Sequence, residues 1–182
     1  MALVLGTNSG FVASAPAADP GGIALGVDNS AVVTKDQSPG TANTITQVGW
    51  WCDNATEESN FEIGLYADSS GAAGSLLFST STNAKGTGSG WKTASVNWSI
   101  SPSTNYWLGL QLDDTATQTK CDIAVAGGSG IDGIGGPTTL PDPYGGGALD
   151  LATGMYAIYA VWEAGTPPTS PVASCKNQSL VL

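Results

Sequence analysis

Four stretches of this chain, ITQVGWWC, FEIGLYAD, WKTASVNWSI and NYWLGLQLD, alternate apolar and polar residues with period two. Successive side chains of a strand point to opposite faces, so this alternation specifies strands with one buried and one free face. It does not fit the 3.6-residue period of an amphipathic helix. The two runs that contain these stretches, Ile45–Tyr66 and Trp91–Leu112, hold five of the six tryptophans, and the rest of the chain reads as support for them.

The strong strands are expected at Thr44–Cys52, Asn60–Ala67, Leu76–Thr80, Trp91–Ile100 and Asn105–Leu112, with Lys120–Ala126 and Met155–Glu163 completing the set. Their connections, DNATEES, DSSGAAGS, NAKGTGSG and SPST, offer Gly for positive φ and Asp, Asn or Ser for local side-chain hydrogen bonds. Weaker strand signals in LVLG, GFVAS and SAVVTK are broken by PAADPGG and DQSPG, which reads as an N-terminal arm followed by a first strand or two. About eight strands at such spacing predict an all-β, antiparallel β-sandwich, of which the jelly roll is the commonest eight-stranded form. The body is expected over residues 1–163. Residues 164–182, rich in Pro, Ser and Thr and ending in LVL, have no core of their own and are expected to dock on a partner. Between Ala126 and Met155 lies a Gly-rich connection longer than a hairpin needs, the kind of loop that is usually functional or mobile.

Charge and missing residue types exclude more than any motif supports. Five basic residues, all lysine, stand against fifteen acidic ones, and a net charge of −10 repels a nucleic-acid backbone or an anionic membrane. Neither partner is expected, and no apolar run is long enough for a membrane helix. The N-terminal stretch MALVLGTNSGFVASAPAADPGG has no basic n-region, and its apolar run stops at Gly6, so no export signal is expected. Without His or Arg, Ser-His-Asp and Cys-His catalysis lack their base, and phosphoryl transfer lacks its usual clamps. A pair of carboxylates could hydrolyse a glycoside, with Glu57, Glu58, Glu62, Asp113 and Asp114 as candidates; the simpler reading of each is a solvated carboxylate. Asp68 with Ser69 and Ser70, or Asp113 with Asp114, could ligate Ca²⁺, but capping of turns explains them more simply. No catalytic residue, metal or cofactor is expected. Cys52 and Cys121 can pair or remain buried thiols, and spacing leaves both open; Cys175 lies in the tail.

One pattern could make a surface. Gly49 shares a strand face with Trp51, Gly64 with Tyr66, and Gly109 with Trp107. A large ring next to a bare glycine can form a flat aromatic platform that stacks on sugars or docks a neighbouring subunit. Equally, the ring can simply cover the glycine of a neighbouring strand and stiffen the sheet.

The succession GWWCDN, FEIGLYADSSGAAGSLLFSTST and GWKTASVNWSISPSTNYWLGLQLD, over about Ile45 to Leu112, resembles the jelly-roll modules of phage head-decoration and fibre proteins and of bacterial surface or anchor domains. The resemblance implies architecture and carries no catalytic motif. It points to a non-enzymatic module that attaches to something, either a capsid surface or a carbohydrate. With no export signal and no catalytic residue types, the leading expectation is a structural protein on the surface of a virus particle, a capsid decoration or cement protein. The expected partners are the major capsid protein or neighbouring copies of the chain in a homotrimer. Contacts are expected at Trp51, Tyr66 and Trp107 and, in the tail, at Pro167, Pro168, Leu180, Val181 and Leu182. The alternative is a carbohydrate-binding module or adhesin that uses the aromatic face.

Overall fold

The computed structural model describes residues 2–54, 56–147 and 150–165. Every regular element among them is a strand. In chain order these are β1 (Gly10–Val12), β2 (Ile23–Gly26), β3 (Ser30–Gln37), β4 (Ala42–Asn54), β5 (Asn60–Ser69), β6 (Ala72–Ser79), β7 (Asn83–Ala84), β8 (Gly90–Ser99), β9 (Asn105–Leu112), β10 (Lys120–Ala124), β11 (Ile131–Gly135), β12 (Met155–Tyr156) and β13 (Ile158–Ala164). They form two largely antiparallel sheets packed as a β-sandwich. The first holds β1, β13, β4, β10 and β12, with β2 on the edge of β10 and β8 on the edge of β4; the second runs β11–β3–β9–β5–β6, with β7 on β5.

The strands expected from alternation are all present. Asn105–Leu112 coincides with β9, and Asn60–Ala67 lies within β5. The strand total exceeds the eight anticipated, because short pieces add to the long ones and Met155–Glu163 is interrupted at Ala157. Three strands lie outside the expected set, β2, β11 and the two-residue β7 within NAKGTGSG. β2 carries the exposed Ile23 and has no alternation to betray it, while β11 sits inside the Gly-rich connection, where IDGIG reads as a turn.

The inner faces follow the periodicity. Ile45, Val48, Trp50, Cys52, Trp98 and Ile158 of the first sheet meet Val32, Phe61, Ile63, Leu65, Leu108 and Leu110 of the second in one apolar core. Each fully buried side chain of this size removes enough surface from water to stabilise the fold by about 1.5–3 kcal/mol before entropy is counted. Trp50 meets Phe61 edge-on across the gap, with centroids 5.9 Å apart. One polar tie also crosses it, the Tyr156 N–H donating to Thr34 Oγ1 at 2.9 Å.

The N-terminal arm is laid into the body. β1 runs parallel to β13, and the Phe11 N–H donates to Asp36 Oδ2 of β3 at 2.8 Å, so the start of the described chain links both sheets. The segment between β1 and β2 then passes Trp91, whose indole N–H donates to the Ala18 carbonyl at 3.0 Å. GFVAS gives only a weak strand signal because β1 is three residues long and is defined by its partner β13.

Candidate functional site

The proposed aromatic platform is not assembled. Trp51 lies on the outer face of the first sheet, where it meets Trp91 edge-on at 5.5 Å, and Trp91 in turn meets Tyr159 at 5.1 Å. Tyr66 and Trp107 belong to the second sheet, opposite one another on β5 and β9. Both are buried, at 0% and 3% exposure, because residues 137–147 fold back over that face and set Leu140 and Tyr144 against them. Tyr144 packs edge-on to Tyr66 at 5.4 Å and donates its hydroxyl to the Ala31 carbonyl at 2.8 Å. The contact surface expected at Tyr66 and Trp107 is therefore an internal layer, and Trp51 stands apart from it on the other sheet.

The glycines show what the rings do instead. A Cβ on Gly109 would stand 2.7 Å from the Tyr66 ring, and one on Gly49 would stand 2.7 Å from the ring of Tyr159. Gly64 is covered by Leu140 and Leu76 rather than by a ring, each methyl carbon 2.8 Å from where its Cβ would be. Rings or methyl groups of neighbouring elements thus cover all three glycines, the stiffening role that the simpler reading gave to the rings.

Around this layer the polar groups act as ties. Asp68 Oδ1 accepts from Lys35 Nζ at 2.8 Å and from the Trp107 indole N–H at 2.9 Å, while the Gly71 N–H donates to its other oxygen at 3.1 Å. Partial burial opposes its charge, but the ammonium and the two N–H donors together hold its carboxyl below the usual range. Burial, with Asp142 and Glu62 nearby, pushes the Tyr66 phenol well up.

Four of the five carboxylates considered for glycoside hydrolysis are also committed to ties, and the fifth, Asp114, is exposed. Glu62 accepts from the Thr82 hydroxyl at 3.0 Å and from the Leu140 N–H at 3.3 Å, pinning the covering loop. Glu57 accepts from the Ala116 N–H, Glu58 from the Gly86 and Ser59 N–H groups, and Asp113 from the side chains of Gln111 and Asn60. Hydrogen bonds, from Thr117 to Glu57 and from Gly86 to Glu58, hold both glutamates below their ordinary values, the wrong direction for a general acid. Among the described residues no group of three or more His, Cys, Asp or Glu converges as metal ligands would. Lys85 is buried where the loops meet and donates to the carbonyls of Glu57 and Gly86. Nothing in NAKGTGSG announced a buried ammonium, because its partners are backbone oxygens, one of them from a distant loop.

The surface that remains is at one end of the first sheet. A trough of about 410 Å³ is lined by Leu3, Gly22, Ile23, Ile123 and Val125 among others. Ile23 is 63% and Val125 54% exposed, and Val4, close by in sequence, is 47% exposed. A signal for half of this was present: Val125 continues the Cys121, Ile123 parity beyond the end of β10, so an apolar side chain leaves the core with the strand. The tail positions Pro167, Pro168, Leu180, Val181 and Leu182 lie outside the described residues.

Asp122 stands beside this trough and accepts the Gly22 N–H at 2.7 Å. Burial, with Asp53 and Asp19 adding repulsion, pushes its carboxyl up; burial does the same at Asp36 and Asp28. A carboxyl raised in the folded state contributes stability that is complete below its ordinary value and lost as pH rises through the elevated one. The contribution of these three carboxyls to stability should therefore grow as pH is lowered from neutral towards the ordinary carboxylate range. Asp122→Asn keeps an acceptor for Gly22 and should raise the melting temperature at pH 7 by a few degrees, a change of about 1 kcal/mol in a chain of this size, while flattening the pH response. Parallel curves for the two proteins in a calorimetric pH series would contradict this assignment.

Comparison with protein-family models, with curated proteins and with solved structures found no match to this chain.

Proposed function

We propose that the protein is a non-enzymatic structural component of a virus particle, a capsid decoration or cement protein. In this reading its jelly-roll body faces outward, and its chain ends grip the major capsid protein or neighbouring copies in a homotrimer. The observation that carries the reading is the apolar trough beside Ile23 and Val125, aliphatic side chains more than half exposed. Exposed apolar surface of this kind marks a contact with another macromolecule.

Support for the jelly-roll form comes from the strand order. β2–β10–β4–β8 in one sheet and β3–β9–β5–β6 in the other are the two four-stranded faces expected when a long hairpin rolls up on itself. β1, β13, β12, β11 and β7 are then additions to the roll. Support for a structural role comes from Glu57, Glu58 and Glu62, each already bound as a tie, and from the resemblance of Ile45–Leu112 to phage decoration modules. The tail composition, Pro, Ser and Thr followed by LVL, suits a segment that folds only against a partner.

Size-exclusion chromatography with light scattering tests the proposal on the full chain and on a chain ending at Gly165. The full chain is expected to form trimers. The shortened chain should run as a monomer that still unfolds cooperatively, since the cut falls after β13. A full chain that stays monomeric at every concentration and binds soluble glycans would overturn the reading.

A further inference from the structure

We propose that Cys52 and Cys121 are a redox clasp, closed by a cross-strand disulfide when the chain folds in an oxidising medium. The two residues are direct partners in the register of β4 and β10. Paired residues on antiparallel strands have Cα atoms about 4.5–5.5 Å apart, within the span of about 4.4–6.8 Å that a disulfide bridges. Both side chains are fully buried and belong to the same core between the sheets, so their Cβ atoms leave the sheet on the same side. Two buried thiols facing each other across one rung need a change of side-chain rotamer, not of backbone, to bond.

Their position gives the bond a purpose. β4 is bordered by β13 up to the pair Trp50 and Ile158, and from Cys52 onward by β10. The register shifts between Lys120 and Cys121, so the two strands are held together over only a short stretch there. A covalent rung at Cys52 and Cys121 fixes this hand-over and closes the whole excursion through β5 to β9 into a loop.

The thiols are not reactive in the finished fold. Burial pushes both up, and at Cys121 the neighbouring Asp122 adds to it, so little thiolate is present. The exchange therefore takes place while the first sheet assembles, with a small-molecule disulfide such as oxidised glutathione as oxidant. One protein thiolate attacks this disulfide and releases one small thiol. The second protein thiolate then attacks the mixed disulfide and releases the other. Two protein thiols and one small disulfide become one protein disulfide and two small thiols, with the protein oxidised by two electrons.

The test uses the full chain carrying Cys175→Ser, refolded from denaturant either in a glutathione redox buffer or in reductant. Oxidative refolding should give a monomer lighter by two hydrogens, no titratable thiol after denaturation, and a peptide linking Cys52 to Cys121. Its melting temperature should exceed that of the reduced form by about 10 °C, as expected for closing so long a loop. Adding Cys121→Ala should abolish the redox dependence. Two titratable thiols after oxidative refolding, or equal melting temperatures with and without the bond, would overturn the proposal. So would a natural chain that joins Cys175 to either partner in preference to this pair.

Discussion

Tyr144→Ala is expected to destabilise the protein by about 3–5 kcal/mol, the range for emptying a large buried aromatic site. Tyr144 is 2% exposed, and its ring is the edge-on partner of Tyr66. Its hydroxyl is bonded to Ala31 of β3 and its N–H to the carbonyl of Gly74, so one residue fastens the covering loop to both β3 and the start of β6. Tyr144→Phe, which loses only the hydroxyl bond, should cost about 1 kcal/mol, and the difference between the two variants measures the packing. Chemical denaturation at unchanged m-value is the appropriate readout. Near-equal costs for the two variants would mean that the hydroxyl bond, and not the packing of the ring, fastens the loop. The same pair bears on the carbohydrate alternative. A platform made of Tyr66 and Trp107 is closed in the wild type, so glycan binding should be absent from it; binding by the wild type that Trp107→Ala removes would revive that alternative.

The second large effect concerns the rung where β5 and β9 put glycine opposite glycine, at Gly64 and Gly109. Gly109→Ala should cost about 1–3 kcal/mol, the usual range for forcing volume into a packed site. The new methyl carbon would lie 2.7 Å from Tyr66 Cε2 and 3.3 Å from Val33 Cγ1. Tyr66 cannot retreat, since Tyr144 stands behind it. Tyr66→Ala alone should cost about 3–5 kcal/mol by leaving a cavity. With that ring gone the methyl group introduced by Gly109→Ala has room and fills part of the void, so the double variant should be more stable than the sum of the single changes predicts, by about 1 kcal/mol or more. Strict additivity would show that glycine is required at this position for a reason other than the ring above it.

How much of this could be seen in the sequence depends on how local the cause is. FEIGLYAD and NYWLGLQLD declare their strands because alternation is a property of adjacent residues, and β5 and β9 appear where it places them. The pairing of glycines with rings on shared faces was legible for the same reason. Its consequence was not, because the side chains that bury Tyr66 and Trp107 come from LPDPYGGG, a stretch whose Pro and Gly read as solvent-exposed connection. A single tyrosine in such a stretch was the available hint. Lys85, β2 and β11 were hidden likewise: each is defined by what lies across from it, by the carbonyl of a distant loop, by β10 and by β3 respectively. Ile23 and Val125 come together only because β2 pairs with β10, so the apolar trough has no counterpart in linear order.

The layer formed by Ala31, Val33, Tyr66, Trp107, Leu140 and Tyr144 means that the middle of the second sheet, β3, β9 and β5, is walled on both sides, whereas much of β8 in the first still shows its outer face to water. A plate clamped between two packed layers resists bowing far better than one clamped on a single side. If the molecule is loaded at its ends, the clamped plate acts as the keel, and whatever give there is falls to the half that carries the trough.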